Sequence, residues 1–83
     1  MKIDFDPEVD AVYLQINEVQ IAKSEQVESG VIFDFNECGS VVGVEILGVK
    51  KKELQHLLSL KIPFHSPEDF KAFKSFLIER ATV

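Results

Sequence analysis

Three carboxylates at alternate positions, Asp6, Glu8 and Asp10, form the first group whose residue types and spacing could do chemistry. Clustered carboxylate oxygens are the ligands that calcium and magnesium prefer. The spacing of a calcium-binding loop is absent, however, and Pro7 stiffens the segment that would have to wrap around an ion. The sequence therefore favours a turn in which Asp6 and Asp10 accept hydrogen bonds from backbone amides. Divalent-metal or small-molecule binding by this acidic turn stays open as the alternative.

A second acidic pair, Asp34 and Glu45, projects from two predicted strands. Two carboxylates can serve acid–base catalysis when a cleft raises the pKa of one of them, but exposed strand carboxylates are far more common. We therefore expect Asp34 and Glu45 to be solvated side chains.

The residues that usually act as nucleophiles or zinc ligands lack their partners in this sequence. His56 and His65 have no Cys or His at the third or fourth position beyond them, which a zinc pair would require. Cys38 lies in a polar turn beside an acid, where nothing favours the thiolate. The serines stand in no nucleophile-elbow or phosphate-loop context. We expect no catalytic residue, no cofactor and no enzyme activity.

Hydrophobic periodicity predicts that residues 1–48 form an antiparallel β-meander of about five strands. Apolar residues alternate with polar ones, as is typical of half-buried strands. In the fifth strand, Val42, Val44 and Ile46 share one face, and Gly43 on the other face permits a close backbone approach or a bulge. The predicted strands cover residues 2–6, 12–17, 21–28, 31–35 and 41–47.

The period then becomes helical, and residues 49–83 are predicted to form a tail of two helices. Leucines spaced along one helix face predict a first helix over about residues 50–60. Ser66 and Pro67 are typical of a helix start, so a second helix is predicted to run to about residue 80. The expected fold is α+β: one domain over residues 1–83, with a sheet in residues 1–48 and two C-terminal helices packed on it.

The second predicted helix carries more apolar surface than one small sheet is expected to cover. Phe73 and Leu77 lie in one stripe, and Phe76 and Ile78 widen it on either side. We predict that Phe73, Phe76, Leu77 and Ile78 form an interface. A homodimer is expected, because most soluble oligomers are two-fold and small domains often stabilise in this way.

Charge excludes some classes of partner. The net charge is -5, with ten acids and two bases in residues 1–49 and four acids and seven bases in residues 50–83. Nucleic acid is not expected as a partner, because an acidic first half is a poor surface for phosphates. An acidic sheet suits a small basic partner protein instead.

The predicted compartment is the cytoplasm. Cys38 is the single cysteine, so no disulfide can form within the chain. No stretch approaches the ~20 apolar residues that a membrane span requires, and no membrane association is expected.

The segment KIDFDPEVDAVYLQI at residues 2–16 and the strand VVGVEIL at residues 41–47 resemble a prokaryotic family known as domain of unknown function 2283. An aspartate-proline-glutamate turn, the aromatic Tyr13 and a valine-rich strand with a glutamate carry the resemblance, which covers residues 2 to about 48. It implies no catalytic residue. Members beside a second small gene look like halves of toxin–antitoxin pairs, which implies protein binding. We therefore predict a non-catalytic protein-interaction module, the antitoxin-like half of such a pair.

Overall fold

Five antiparallel strands and two helices make up the protein in a computed structural model that describes residues 1–81. The strands are β1 (Lys2–Asp6), β2 (Ala11–Gln15), β3 (Lys23–Glu28), β4 (Val31–Phe35) and β5 (Val41–Leu47). A 3-10 turn (Val49–Lys51) precedes α1 (Leu54–Leu58) and α2 (Pro67–Ala81). The predicted α+β architecture, with an antiparallel sheet of five strands followed by C-terminal helices, is confirmed. None of the helices described within residues 1–81 is long and apolar enough to cross a membrane.

The order of the strands in the sheet is β1-β2-β5-β4-β3. Strands that follow one another in sequence pair as β1–β2 and as β3–β4–β5, and the pairing of β2 with β5 joins these two units. The polar β3 lies at an edge, where charged side chains on an exposed strand discourage pairing with other chains. The valine-rich β5 lies at the centre of the sheet, where it pairs with β2 along one edge and with β4 along the other.

One face of the sheet and both helices enclose the core. The core-facing residues of β2, β4 and β5 alternate along each strand, as the side-chain period of two requires. The helical tail contributes buried side chains from the 3-10 turn, both helices and the segment between them. The buried cluster consists of Val12, Leu14, Ile16, Val31, Phe33, Val44, Ile46, Val49, Leu57, Ile62, Phe73 and Leu77.

The first helix is shorter than predicted, because tertiary hydrogen bonds hold its first residues in another conformation. The Asp10 carboxylate accepts the backbone N–H of Lys50 at 2.9 Å, and the Asp10 carbonyl accepts that of Val49 at 3.2 Å. Lys52 is extended, and its Nζ donates to the Ser29 carbonyl at 2.7 Å. Residues 49–51 therefore form a 3-10 turn, and α1 begins only at Leu54.

A bulge in β5 interrupts its pairing with β4. Asp34 pairs with Gly43, but the next residue, Phe35, pairs with Val41. Val41 consequently packs against the core cluster, whereas Val42 is buried outside it. Val42, Val44 and Ile46 are all buried, at 2%, 0% and 0% exposure, although the bulge leaves Val42 outside the core cluster.

Candidate functional site

The sheet face opposite the helices, here called the helix-free face, carries most of the chemically capable side chains of the strands. Two neighbouring rows cross the sheet in the order of its strands. One row consists of Asp4, Tyr13, Glu45, Ile32 and Gln26, and the other of Lys2, Gln15, Gly43, Asp34 and Ser24. With Asp6 at the end of β1, the described part of this face has four acidic residues and one lysine.

A carboxylate with two hydroxyl donors lies at the centre of this face. The Tyr13 hydroxyl donates to Asp34 Oδ2 at 2.7 Å, and the Ser24 hydroxyl donates to Asp34 Oδ1 at 2.6 Å. Asp34 is only 8% exposed. A buried carboxylate is costly unless its oxygens are hydrogen-bonded, and here each oxygen has a donor. We call Tyr13, Ser24 and Asp34 the Asp34 cluster.

Gly43 makes the cluster possible, because it lies between Tyr13 on β2 and Asp34 on β4. A Cβ at this position would lie 1.8 Å from Tyr13 Oη, 2.6 Å from Tyr13 Cζ and 3.3 Å from Asp34 Oδ2. The tyrosine ring therefore reaches across β5 through space that only glycine leaves open. The sequence indicated a close approach at Gly43, and the group that approaches is this side chain.

The environment of Tyr13 keeps its hydroxyl protonated. Burial, then the hydrogen bond to Asp34 and the negative charges of Asp34 and Glu45, raise the pKa of Tyr13 from 10.0 to about 12. The phenol therefore acts as a hydrogen-bond donor near neutral pH and not as a base or nucleophile. Both hydroxyl protons point to the carboxylate, so the groups that remain available in the cluster are oxygen lone pairs. These lone pairs accept hydrogen bonds and favour a cationic donor.

The acidic turn is held by backbone hydrogen bonds. Asp6 Oδ1 accepts the backbone N–H of Glu8 at 3.0 Å, as expected of a tight turn, while Asp10 reaches the N–H of Lys50 in the tail. Glu8 is exposed. Within residues 1–81, no group of three or more His, Cys, Asp or Glu residues has an arrangement that could hold a metal ion.

Asp34 and Glu45, the second predicted acidic pair, do lie on one face of the sheet, but they differ in burial. Asp34 is buried in the cluster, contrary to the expectation of a solvated side chain, and Glu45 is half-buried beside Tyr13. Sequence reasoning missed the roles of Tyr13 and Ser24. The alternation of each strand does place them on this face, but only the strand order brings them to Asp34.

The histidines and the cysteine lie apart from this cluster. His56 Nε2 contacts Glu28 Oε2 at 2.5 Å and ties α1 to β3. His65 Nε2 lies 2.8 Å from Asn17 Oδ1. Cys38 is an exposed free thiol.

The predicted interface on α2 is divided between core and surface. Phe73 and Leu77 are 1% and 0% exposed in the core, so neither is free to contact a partner. Phe76 packs edge-to-face on Phe5 at 5.3 Å between ring centroids. Ile78 is 43% exposed. This differs from the predicted surface of four residues, because the core and the first strand cover much of the apolar arc.

Comparison with known proteins identifies one family. A family model described as "Protein of unknown function (DUF2283)" matches residues 2–50. The match spans β1 to β5 and includes the whole Asp34 cluster, whereas α1 and α2 lie outside it. No curated protein and no solved structure matches the chain.

Proposed function

This chain belongs to the DUF2283 family of proteins of unknown function, and we propose that it is a non-catalytic interaction module that binds a small basic protein through its helix-free face. The observation that carries the proposal is the charge of that face, where Asp4, Asp6, Asp34 and Glu45 stand against Lys2. Complementary charge steers association and determines which partners are accepted.

The Asp34 cluster supports a cationic contact in particular. Its two hydroxyl donors already point to the carboxylate, so the remaining oxygen lone pairs suit an incoming donor. Glu45 lies in the row beside it, next to Tyr13. An arginine of the partner would fit this arrangement, because a guanidinium presents several donors in a fixed plane.

Three further features belong to the same proposal. The partner is the toxin of a toxin–antitoxin pair, as the family resemblance implies, and the chain acts in the cytoplasm. It also forms a homodimer, for which α2 offers the exposed Phe70 and Ile78, at 37% and 43% exposure.

The proposal is tested by affinity capture from host lysate with charge-reversed variants. Wild-type protein is expected to retain one small basic protein, and retention is expected to weaken as salt rises. The double variant Asp4→Lys, Glu45→Lys should bind that protein at least about tenfold more weakly, because it places like charges opposite each other.

A variant with the same change of charge on the helix side provides the control. Glu25→Lys with Glu53→Lys reverses two exposed acids outside the helix-free face. Its binding should match that of the wild type. If the helix-free-face variant binds as tightly as the wild type, the proposed surface is wrong.

The metal-binding alternative rests on Asp6, Glu8 and Asp10. One oxygen of Asp6 and one of Asp10 already accept backbone N–H groups, which leaves fewer free carboxylate oxygens for an ion, although Asp10 Oδ1 has no hydrogen-bond partner among the described residues. Calcium or manganese titration with thermal melting tests the alternative. A ligand that binds only the folded chain would raise the melting temperature.

A further inference from the structure

A cleft lies where the β1–β2 turn meets the end of α2. Its lining comes from the hairpin, the 3-10 turn and the last turns of α2, and its volume is about 300 Å³. The lining is mainly apolar, with charged groups at a few points, which is the usual character of a small-molecule site. The lining residues are Phe5, Pro7, Lys50, Phe76, Glu79 and Arg80.

Two cationic side chains, Lys50 and Arg80, line the cleft beside its apolar residues. Arg80 Nη2 donates to the Val49 carbonyl at 3.0 Å, which holds the guanidinium beside the 3-10 turn. Arg80 Nε is buried and has no hydrogen-bond partner among the described residues, so the guanidinium is incompletely satisfied. Lys50 is exposed, while its backbone N–H is fixed by Asp10. A positively charged end thus adjoins the aromatic surface of Phe5 and Phe76.

We propose that this cleft binds a small molecule with an apolar tail and a single carboxylate. The tail would pack on Phe5, Pro7 and Phe76, and the carboxylate would lie between Lys50 and Arg80. Arginine and carboxylate match in geometry and charge.

The charges around the cleft favour one negative charge over two. Glu79 adds an acid to the lining, and it already takes part in an interaction of its own. The carboxyl end of α2 also carries the negative end of the helix dipole. The Glu79 carboxylate and the helix dipole both disfavour a dianion such as a phosphate monoester. The positive charges of Lys50 and Arg80 are sufficient for a ligand with one carboxylate.

This site is independent of the proposed protein contact. The proposed partner binds the helix-free face, whereas the cleft lies beside α2. Phe76, Glu79 and Arg80 also lie outside the region that matches the family. Ligand binding here would therefore be a property that the helical tail adds to this chain.

The test is an NMR titration of the full-length protein with octanoate. We expect saturable shifts of backbone amides at Phe5, Lys50, Phe76 and Arg80. Acetate, which lacks the tail, and octanamide, which lacks the charge, should each bind much more weakly. Octanamide binding as tightly as octanoate would overturn the assignment, as would unsaturable shifts spread over the surface.

Two neighbouring lysines supply a matched pair of variants. Lys50→Gln should weaken octanoate binding roughly two- to fivefold, the range expected for one exposed ion pair. Lys51→Gln removes the same charge from a residue that does not line the cleft and should leave the affinity unchanged. Equal affinities of the two variants would overturn the proposed position of the carboxylate.

Discussion

At the scale of single residues, the buried Asp34 side chain requires hydrogen-bond donors from its neighbours. A carboxylate with 8% exposure is tolerated here because Tyr13 and Ser24 each donate a hydroxyl to it. The same hydrogen bonds restrict the chemistry of the donors. Tyr13 is held as a neutral phenol, because its surroundings raise its pKa to about 12.

The ionisation of Tyr13 is directly measurable, because it is the only tyrosine and the chain has no tryptophan. In the folded protein, the ultraviolet absorbance of tyrosinate should titrate with a pKa of about 12, compared with 10.0 for an unperturbed phenol. Asp34→Asn should lower this pKa towards 10.0, because it removes the negative charge beside the phenol. A folded-state titration near 10.0 would contradict the raised pKa.

Stability should follow the same ionisation. Below about pH 10 the phenol is protonated in both the folded and the unfolded chain, so its full contribution is present. From about pH 10 to 12 the unfolded chain loses the proton first, and the free energy of unfolding should fall. Urea denaturation across this pH range should show the decline in the wild type, and Tyr13→Phe should show less of it.

At the scale of elements, the central position of β5 determines what the helix-free face can contain. Tyr13 on β2 and Asp34 on β4 are separated by β5, and their hydrogen bond passes over Gly43. Glycine in a strand usually weakens it, because it adds backbone entropy and packs no side chain. At this position it admits a hydrogen bond across two strand spacings.

The clash at Gly43 predicts an effect that depends on Tyr13. Gly43→Ala should destabilise the wild type by about 1–3 kcal/mol, because the ring must move and lose its bond to Asp34. In a Tyr13→Ala background the ring is absent and only the 3.3 Å approach to Asp34 Oδ2 remains, so the same change should cost much less. Urea denaturation of the wild type, the two single variants and the double variant measures the coupling energy between the two positions. An equal cost in both backgrounds would show that the ring does not occupy this space.

At the scale of the whole molecule, the sheet and the tail are halves of one core. Buried side chains from the tail, among them Leu57, Phe73 and Leu77, cover the apolar face of the sheet. The family match ends at residue 50, before both helices. The end of the family match is therefore not a boundary of packing in this chain.

A truncated chain tests this dependence. Residues 1–50 alone should fail to fold, because they would expose the core face of the sheet and so small a chain has little else to bury. The expected result is a collapsed range of amide proton shifts and no cooperative unfolding transition. The full-length protein is the control. A dispersed spectrum for the fragment would show that the sheet is stable without its tail.

The sequence by itself determined the elements and much of their character. Alternating apolar residues predicted the five strands, and Ser66 with Pro67 predicted the start of α2, where the Ser66 hydroxyl accepts the Asp69 N–H at 3.2 Å. These signals are local, because the backbone period and the capping of helix ends depend on neighbouring residues. The acidic character of the sheet was also readable from residue types alone.

Only the tertiary structure decided which elements meet. The pairing of β2 with β5, the burial of Asp34 under Tyr13 and Ser24, and the tie from Asp10 that shortens the first helix all join residues far apart in sequence. The hydrophobic period of a strand indicates which side chains face the core and which face the solvent. It does not indicate which other strand will pair with that strand. The Asp34 cluster and the cleft beside α2 therefore emerged from strand order and helix packing, since both join segments that no local pattern connects.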